Sequence, residues 1–400
     1  MSFLSFEASQ NMLELLDVGS LRHERVPLSS SLGRVLAIDI VAPHSEPEFP
    51  TASMDGYAIK FEDQELKLLR VVDQNPAGDS RDLSINHGEC IKTFTGSKMP
   101  SGSDTLLQIE NVSIKDDYIV IDEAVAEASS VRAVGESFKK GDVLIKKGTK
   151  IGFVEIGVMA SLNVVMVDVA LKPRIGVLST GSEIVDLGEC SENIASIRSS
   201  NNYTLAALFE SYGATALQLG TIKDDKQSIT EALQNALESS DIVVTTGGVS
   251  VGDYDFVKDV VPRLGAEVIF KGVAIKPGRH IMLAKKGSKF IVSLPGFAYS
   301  STVTGVLYVL PLIAKMLAKS SGYEVVEAVL DEDFTKRSPF SEFSACNLVL
   351  KNGSYHINFE GKKIGSSAIL TNMLGSASLM ITAIEDQFLP KGTRVRAIKL

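Results

Sequence analysis

The sequence has no tryptophan, only three cysteines and five histidines among its 400 residues, and no long apolar run. The cysteines, Cys90, Cys190 and Cys346, have no paired spacing, which argues against a structural zinc site and fits free thiols in a reducing cytoplasm. The histidines are equally dispersed, so a His/Cys metal cluster is not indicated. The most apolar segment, 303–314, contains Pro311 and is shorter than the roughly 20 residues of a membrane span. With no secretion signal visible at its start, we expect a cytoplasmic protein without a membrane segment.

The charge balance excludes a further class of function. Lys and Arg number 40 against 49 Asp and Glu, a formal net charge of -9, whereas a general nucleic-acid binder needs a cationic face. With 22% charged residues and 32 glycines, neither disorder nor a fibrous repeat is indicated. A chain of 400 residues exceeds one ordinary core, so about two to four domains are expected.

The clearest pattern lies between Lys172 and Lys319, where short apolar segments alternate with amphipathic ones. This alternation predicts a parallel sheet with helices on both faces, an α/β architecture. Predicted strands occupy 174–179, 214–219, 241–245, 267–270 and 290–294. Predicted helices occupy 201–212, a segment that starts near Asp224, a short one near 255–264, and a long apolar one after Gly296.

Three loops follow predicted strands of this sheet, and in open parallel sheets ligands bind beyond the carboxyl ends of the strands. Glycines in such loops let the backbone approach a ligand, and the following helix presents its N-terminus to phosphate. The candidate binding residues in these loops are Thr180, Gly181, Gly247, Gly248, Ser250, Gly252, Pro295 and Gly296.

Several carboxylates belong to the same region: Glu183, Asp224, Asp225, Asp253 and Asp255. Hard oxygen ligands suit Mg²⁺, which usually takes one or two carboxylates together with substrate phosphate. Asp224 and Asp255 could equally cap helices, and the sequence leaves that choice open. Glu183 has no such structural explanation, so we favour a functional role for it.

Four cations could neutralise an anionic ligand. Lys276 and Arg279 flank a rigid Pro-Gly turn, although a basic hairpin would show the same letters. Lys98 and Thr95 belong to a loop of small residues that could cradle an anion, and Arg132 stands beside a Gly turn. For these last three, an ordinary surface loop or strand is the simpler alternative.

Residues 40–135 contain short β-like runs, and residues 323–400 form a second strand-rich region. Within the first, Asp55 stands among small residues in 51–58, where a carboxylate could hold a divalent metal or position a water. An ordinary Asp-Gly turn is the alternative.

Taken together, these segments resemble the MoeA family of molybdopterin molybdenumtransferases, whose eukaryotic relative is the gephyrin E domain. The resemblance follows the family's motif order over nearly the whole chain. The motifs are Ser53-Met54-Asp55-Gly56-Tyr57-Ala58, Thr95-Gly96-Ser97-Lys98-Met99-Pro100 through Asp104, Arg132 with Gly135-Glu136, Ser179-Thr180-Gly181-Ser182-Glu183, Thr246-Gly247-Gly248-Val249-Ser250-Val251-Gly252-Asp253, Lys276-Pro277-Gly278 and Leu294-Pro295-Gly296.

The resemblance implies an elongated homodimer with four domains per chain. Residues 1–15 plus 170–322 would form a three-layer α/β molybdopterin-binding core. Residues 16–45 plus 136–169 would form a linking and dimerisation domain. Residues 46–135 would be a β-rich lobe, and 323–400 a C-terminal β-barrel-like domain.

The resemblance also implies an activity. Adenylylated molybdopterin and molybdate would meet between one subunit's α/β domain and the partner's lobe, where Mg²⁺-dependent cleavage releases AMP as molybdenum enters the dithiolene. An adenylyltransferase would deliver the substrate, and molybdoenzymes would accept the product. Carried over by motif, Asp55, Thr95 and Arg132 would come from the lobe. The α/β domain would supply Glu183, Asp224, Asp255, Lys276, Arg279 and Pro295, with Asp55, Glu183, Asp224 and Asp255 as metal ligands.

The sequence departs from the family pattern at four places. Ser137 replaces a usual Asp, Phe297-Ala298 replace the usual Asn-Pro, and Arg279 stands where Lys is common. The C-terminal domain is also divergent, although Gly365-Ser366-Ser367 resembles the family's Gly-Ser-Gly. Two alternatives therefore accompany the insertase hypothesis: a binding or assembly paralogue that has lost catalysis, and another phosphoanhydride-cleaving enzyme on the same fold.

Overall fold

The computed structural model describes residues 3–19, 22–190, 193–249, 255–375 and 377–400. The chain forms two compact units. The larger unit takes the described residues of 1–38, 147–156 and 165–400, and the smaller unit takes 39–146 and 157–164. The finer division into four domains stays a prediction.

A six-stranded sheet forms the centre of the larger unit. Its strands, in spatial order, are Thr215–Ile222, Arg174–Thr180, Ile242–Thr246, Lys289–Leu294, Met282–Lys286 and Glu267–Lys271. The first four are mutually parallel, which confirms the prediction from the alternating pattern. Met282–Lys286, which the sequence analysis did not single out, runs antiparallel to both of its neighbours. Only Gly287 and Ser288 connect it to the next strand, and a two-residue connection permits only a hairpin.

Helices cover both faces of this central sheet, as predicted. On one face Ile175 and Val177 pack with helix Asn201–Ser211 and with a long helix that runs through Ala298–Thr304, a π-turn segment Gly305–Val309 and Leu310–Met316. On the other face Leu178 and Val243 pack with Lys226–Ser239 and Val257–Arg263. Because side chains alternate along a strand, one short apolar segment supplies both cores.

A closed β-barrel follows the long helix, which confirms the predicted C-terminal β domain. Its strands, in spatial order, are Ser341–Lys351, Ser354–Asn358, Glu324–Leu330, Arg394–Lys399 and Ala377–Thr382, and the last pairs again with the first. The barrel has its own core, which includes Leu330, Phe334 and Met380. Asn352 and Gly353 both have positive φ angles, 49° and 81°, as a two-residue hairpin turn requires.

The remaining elements of the larger unit are short. Helix Phe6–Leu15 begins at Ser5, whose Oγ accepts a hydrogen bond from Ala8 N–H. The strand pairs are His23–Pro27 with Met166–Ala170, Ile184–Val185 with Ile197–Arg198, and Phe334–Thr335 with Phe388–Leu389. Single turns of 3₁₀ helix occupy Leu28–Ser30 and Leu370–Met373.

The smaller unit is built on a second six-stranded sheet. Its strands, in spatial order, are Thr105–Gln108, Gly56–Ile59, Glu89–Thr93, Leu68–Asn75, Tyr118–Ile121 and Val112–Lys115. Two short pairs accompany it, Thr51–Ala52 with Val131–Arg132 and Ile40–Val41 with Val143–Ile145. The 3₁₀ helices are Phe61–Leu66 and Ile109–Asn111, and helix Phe153–Ser161 belongs partly to each unit. The predicted β-rich lobe is therefore confirmed.

No helix in the described part of the chain is long and apolar enough to cross a membrane.

Candidate functional site

A cleft of about 1160 Å³ opens in the larger unit where the central sheet meets the barrel. The ends of strands Arg174–Thr180, Ile242–Thr246 and Lys289–Leu294 all contribute to it. The prediction that three strand-end loops converge on one crevice is therefore confirmed. Six of the predicted binding residues line the cleft: Thr180, Gly181, Gly247, Gly248, Pro295 and Gly296. Ser250, Gly252 and Asp253 lie outside the described residues.

Gly247 and Gly248 are required by the close packing of these loops. Both have positive φ angles, 90° and 70°. A Cβ on Gly247 would lie 2.8 Å from the Thr180 carbonyl oxygen, and one on Gly248 would lie 2.6 Å from Val257 Cγ2. Without side chains here, the loops expose main-chain groups toward the cleft.

Among the residues that the structure describes, the carboxylates of Glu183, Asp224 and Asp255 line the cleft. Asp224 Oδ2 accepts a hydrogen bond from Ser182 N–H at 3.1 Å. Burial raises the pKa of Asp224, and the charges of Glu183 and Asp255 raise it further, against the opposing effect of the Ser182 hydrogen bond. Mutual repulsion of this kind is what a bound cation would relieve.

Asp224 does not cap a helix, so the capping alternative is wrong for this residue. Helix Lys226–Ser239 is capped by Asp225, which accepts a hydrogen bond from Ser228 N–H at 2.8 Å. Helix Val257–Arg263 begins after Phe256, and the capping alternative for Asp255 stays open. Asp224 is thereby left to face the cleft, and the cap sits one residue later than the sequence predicted.

The carboxylate oxygens of the cleft suit a metal ion that also binds the oxygens of a ligand. Within the described ranges, no group of three or more His, Cys, Asp or Glu side chains is close enough to enclose a metal. Glu183 and Asp224 nevertheless offer carboxylate oxygens, and Mg²⁺ commonly combines one or two of these with phosphate oxygens and water. Asp55, the other predicted ligand, belongs to the smaller unit.

The predicted basic turn connects the central sheet to the barrel and is not a surface hairpin. Ile275–Lys276 pairs in parallel with Ser341 and Glu342 at the start of a barrel strand. Lys276 Nζ lies 3.7 Å from Glu342 Oε2, and Glu342 is only 3% exposed. Lys276 and Arg279 both line the cleft.

The barrel contributes a wall that sequence reasoning missed. The residues of this wall are Arg337, Ser338, Pro339, Phe340, Ser367, Ala368 and Leu370. Ser300, near the start of the long helix, fixes it, because Ser300 N and Oγ donate to the Ser367 carbonyl at 3.1 and 3.0 Å. The one available signal was Gly365-Ser366-Ser367, which resembles a Gly-Ser-Gly motif of the family. Arg337 has no such motif around it.

The rim of the cleft contains Phe297, where the family pattern has Asn. Its side chain is 61% exposed, and helix Ala298–Thr304 follows directly. Asn201, at the start of the opposite helix, donates from Nδ2 to the Gly296 carbonyl at 2.8 Å. This hydrogen bond joins the Pro295-Gly296 loop to the start of the opposite helix.

In the smaller unit the structure brings Asp55 and Thr95 together. Asp55 Oδ1 accepts hydrogen bonds from Thr95 N–H at 2.8 Å and from Thr95 Oγ1 at 2.7 Å. These bonds hold the pKa of Asp55 below its usual range. Gly56 is needed for close approach and not for a turn, because a Cβ there would lie 2.0 Å from the Leu107 carbonyl oxygen.

The two cations predicted in this unit each face a carboxylate. Arg132 Nε donates to Glu136 Oε1 at 3.0 Å, and Arg132 pairs with Thr51 in the short ladder beside Asp55. Lys98 Nζ lies 3.6 Å from Asp82 Oδ1. The backbone of Lys98 also forms an antiparallel β-bridge with Thr51. The motifs 51–58, 95–104 and 131–136 therefore assemble into one polar surface.

Comparison with known proteins covers most of the chain. Residues 4–163 match the family described as the MoeA N-terminal region (domain I and II), and residues 176–315 match one described as a probable molybdopterin binding domain. A molybdopterin molybdenumtransferase of Staphylococcus aureus is 34% identical over 326 residues, 80% of this chain and 77% of the relative. One from Staphylococcus epidermidis is 31% identical over 380 residues, 92% of this chain and 87% of the relative.

Solved structures resemble the chain over its full length. The structure of a molybdopterin biosynthesis MoeA protein from Pyrococcus horikoshii superimposes with a TM-score of 0.83 at 28% identity, and the match covers 100% of both chains.

Proposed function

Because the chain belongs to the MoeA family of molybdopterin molybdenumtransferases, we propose that it inserts molybdenum from molybdate into molybdopterin, cleaving adenylylated molybdopterin in a Mg²⁺-dependent step with release of AMP. The supporting observation is the cleft, in which Glu183 and Asp224 share one cavity with Lys276, Arg279 and Arg337. An anionic substrate with a bound cation needs both signs of charge in one place.

The cleft residues divide into two roles. Lys276, Arg279 and Arg337, with the backbone of the strand-end loops, would bind phosphate and molybdate oxygens and stabilise the charge that develops as the phosphoanhydride breaks. Glu183 and Asp224, with Asp255 nearby, would hold Mg²⁺, which supplies charge neutralisation at the phosphate oxygens. A water molecule would attack the phosphorus of the molybdopterin phosphate as the bond to AMP breaks. AMP, once its charge is neutralised, leaves directly, so a covalent protein intermediate is unnecessary.

The surface around Asp55 fits the same reaction if a second copy of the chain supplies it. We propose a homodimer in which each cleft receives the loop of Asp55 and Thr95, with Arg132 and Lys98 beside it, from the other subunit. An adenylyltransferase would deliver the substrate, and molybdoenzymes would receive the product. The scattered cysteines fit a reducing cytoplasm.

The proposal is tested by incubating the purified protein with adenylylated molybdopterin, Mg²⁺ and molybdate while measuring AMP and reconstitution of a cofactor-free molybdoenzyme. We expect turnover that Asp224→Asn lowers on the order of 100-fold, the scale for losing one group that stabilises transition-state charge. Asp225→Asn is the matched control, because it removes the same charge one residue away and Asn remains a good helix cap.

Three outcomes decide among the functions considered. Binding of substrate without turnover would favour an assembly paralogue. AMP release that ignores molybdate would favour another phosphoanhydride-cleaving enzyme. Equal losses of turnover in Asp224→Asn and Asp225→Asn would show that the Asp224 carboxylate has no specific role in the reaction.

A further inference from the structure

We propose that Phe3 and Phe340 are positioning residues for Arg279, holding its guanidinium in the cleft as a preorganised receptor for an anionic ligand. This deepens the proposed function, on which the identity of the natural ligand rests. Phe3 lies near the start of the chain and Phe340 in the strand-rich region 323–400, yet both rings contact Arg279.

Two aromatic rings form a corner around the guanidinium. Arg279 Cζ lies 5.0 Å from the ring centroid of Phe3 and 5.6 Å from that of Phe340. The two rings meet edge to face, with centroids 6.2 Å apart and planes at 79°. We call Phe3 and Phe340 the aromatic corner. A cation placed in such a corner is attracted by both ring faces.

The aromatic corner fixes the cation without consuming its hydrogen-bond donors. Among the residues that the structure describes, no carboxylate forms an ion pair with Arg279, whose polar contact is a 3.5 Å approach to His280 Nε2. Contact through the face of the guanidinium leaves its edge of N–H groups for a ligand. Lys276, by contrast, lies 3.7 Å from a carboxylate.

The aromatic corner is anchored to the segment that precedes Arg279. Leu4 N donates to the Gly272 carbonyl at 3.3 Å, and Ala274 N donates to the Leu4 carbonyl at 2.7 Å, which fixes the residue after Phe3. A Cβ on Gly272 would lie 2.8 Å from the Phe3 ring, so glycine makes room for the ring. On the other side, Ser341 N donates to the Ala274 carbonyl at 3.2 Å and fixes the residue after Phe340.

Arginine is suited to this corner in a way that lysine is not. The planar, weakly hydrated guanidinium stacks on rings, whereas an ammonium is a strongly hydrated point charge. Phe340 and Arg279 also line the same cleft, so the receptor faces the proposed ligand. The departure from the family's common Lys at this position is therefore matched by the two rings.

A double-mutant cycle on the full-length protein tests this inference. The probe is inorganic pyrophosphate, titrated by calorimetry at fixed low salt. We expect Phe340→Leu and Phe3→Leu each to weaken pyrophosphate binding about 2- to 5-fold, the scale of one partly exposed cation–π contact. Phe340→Tyr keeps the ring face and should keep the affinity.

The decisive comparison uses the Arg279→Ala background. There, Phe340→Leu should have no further effect on pyrophosphate binding, because the ring acts through the arginine. The same loss in both backgrounds would overturn the inference, as would wild-type binding no tighter than that of Arg279→Ala. If Phe340→Leu fails to fold, Phe3→Leu completes the same cycle. A protein that passes this cycle but shows no molybdate-dependent turnover would refute the proposed function and leave the positioning role intact.

Discussion

Lys276 Nζ lies 3.7 Å from Glu342 Oε2, and Glu342 is a buried carboxylate at the start of a barrel strand. Oε2 has no hydrogen-bond partner among the described residues, and Ser344 Oγ donates to the other oxygen at 3.3 Å. The positive charge of Lys276, which lines the cleft, therefore neutralises the negative charge of Glu342 in the barrel.

The first prediction concerns the stability of this pair. Lys276→Met should lower the free energy of unfolding by roughly 2–3 kcal/mol, because it leaves the Glu342 charge buried without its partner. The double variant Lys276→Met/Glu342→Gln should recover most of that loss, since the buried charge is gone. Urea unfolding of the two variants measures both values. A double variant as unstable as Lys276→Met would show that the unpaired charge of Glu342 is not the cause of the loss.

The second prediction follows from the raised pKa of Asp224. Folding raises the pKa of Asp224, so the protonated carboxyl favours the folded state. This contribution to stability is complete below the unfolded pKa and is lost as the pH rises through the folded pKa. Asp224→Asn should therefore be more stable than the wild type at pH 7, by less than about 1 kcal/mol because solvent screens much of the effect.

The stability advantage of Asp224→Asn over the wild type should decrease as the pH falls toward the ordinary aspartate pKa. Thermal unfolding of both proteins across that range provides the measurement. Asp225→Asn, which keeps the helix cap, supplies the reference. A stability advantage of Asp224→Asn that increases as the pH falls would contradict this prediction.

The third prediction concerns the hydrogen bonds between Thr95 and Asp55. Thr95→Val removes the hydroxyl donor and keeps the backbone donor, so the pKa of Asp55 should rise part of the way to its ordinary value. Thr95→Ser, which keeps a hydroxyl, should leave it low. Because a depressed pKa contributes stability above the unfolded pKa, the stability difference between Thr95→Val and the wild type should vanish as pH falls through the folded pKa. Carboxyl NMR titration of Asp55 would contradict this if both variants titrated alike.

The fourth prediction tests the shared site of the proposed homodimer. Asp55→Ala and Glu183→Ala chains should each be inactive alone. When mixed equally and allowed to exchange, half of the dimers are hybrids with one intact site of two, so about a quarter of wild-type turnover should return. Mixtures that exchange subunits and remain inactive would place both residues in the same subunit's site, or remove one of them from it.

Much of the site could be predicted because short-range rules fix it. A buried strand that ends in Gly-rich polar residues directs those residues to the carboxyl edge of a parallel sheet, so Thr180, Gly247 and Pro295 converge. The alternation of strand and helix segments likewise predicted helices on both faces of the sheet. The sequence could not show whether Asp224 or Asp225 caps the following helix, because two adjacent aspartates at the helix start are both suited to this role.

The rest depended on contacts between distant segments. Arg337, Phe340 and Ser367 join the cleft only because the barrel packs against the strand ends, and no local pattern marks that contact. The aromatic corner is an extreme case, since residues 3, 279 and 340 meet through three separate parts of the chain. For the segment 51–58 an Asp-Gly turn was the alternative, but the structure explains Gly56 by the close approach of Leu107 on a paired strand and not by a turn.

The most direct test of the central claim is the molybdate dependence of AMP release from adenylylated molybdopterin by the wild-type protein with Mg²⁺. We predict that molybdate accelerates AMP release, that active cofactor appears in parallel, and that Asp224→Asn lowers both on the order of 100-fold while Asp225→Asn retains them. AMP release at the same rate with and without molybdate, or turnover in Asp224→Asn equal to that in Asp225→Asn, would contradict this prediction.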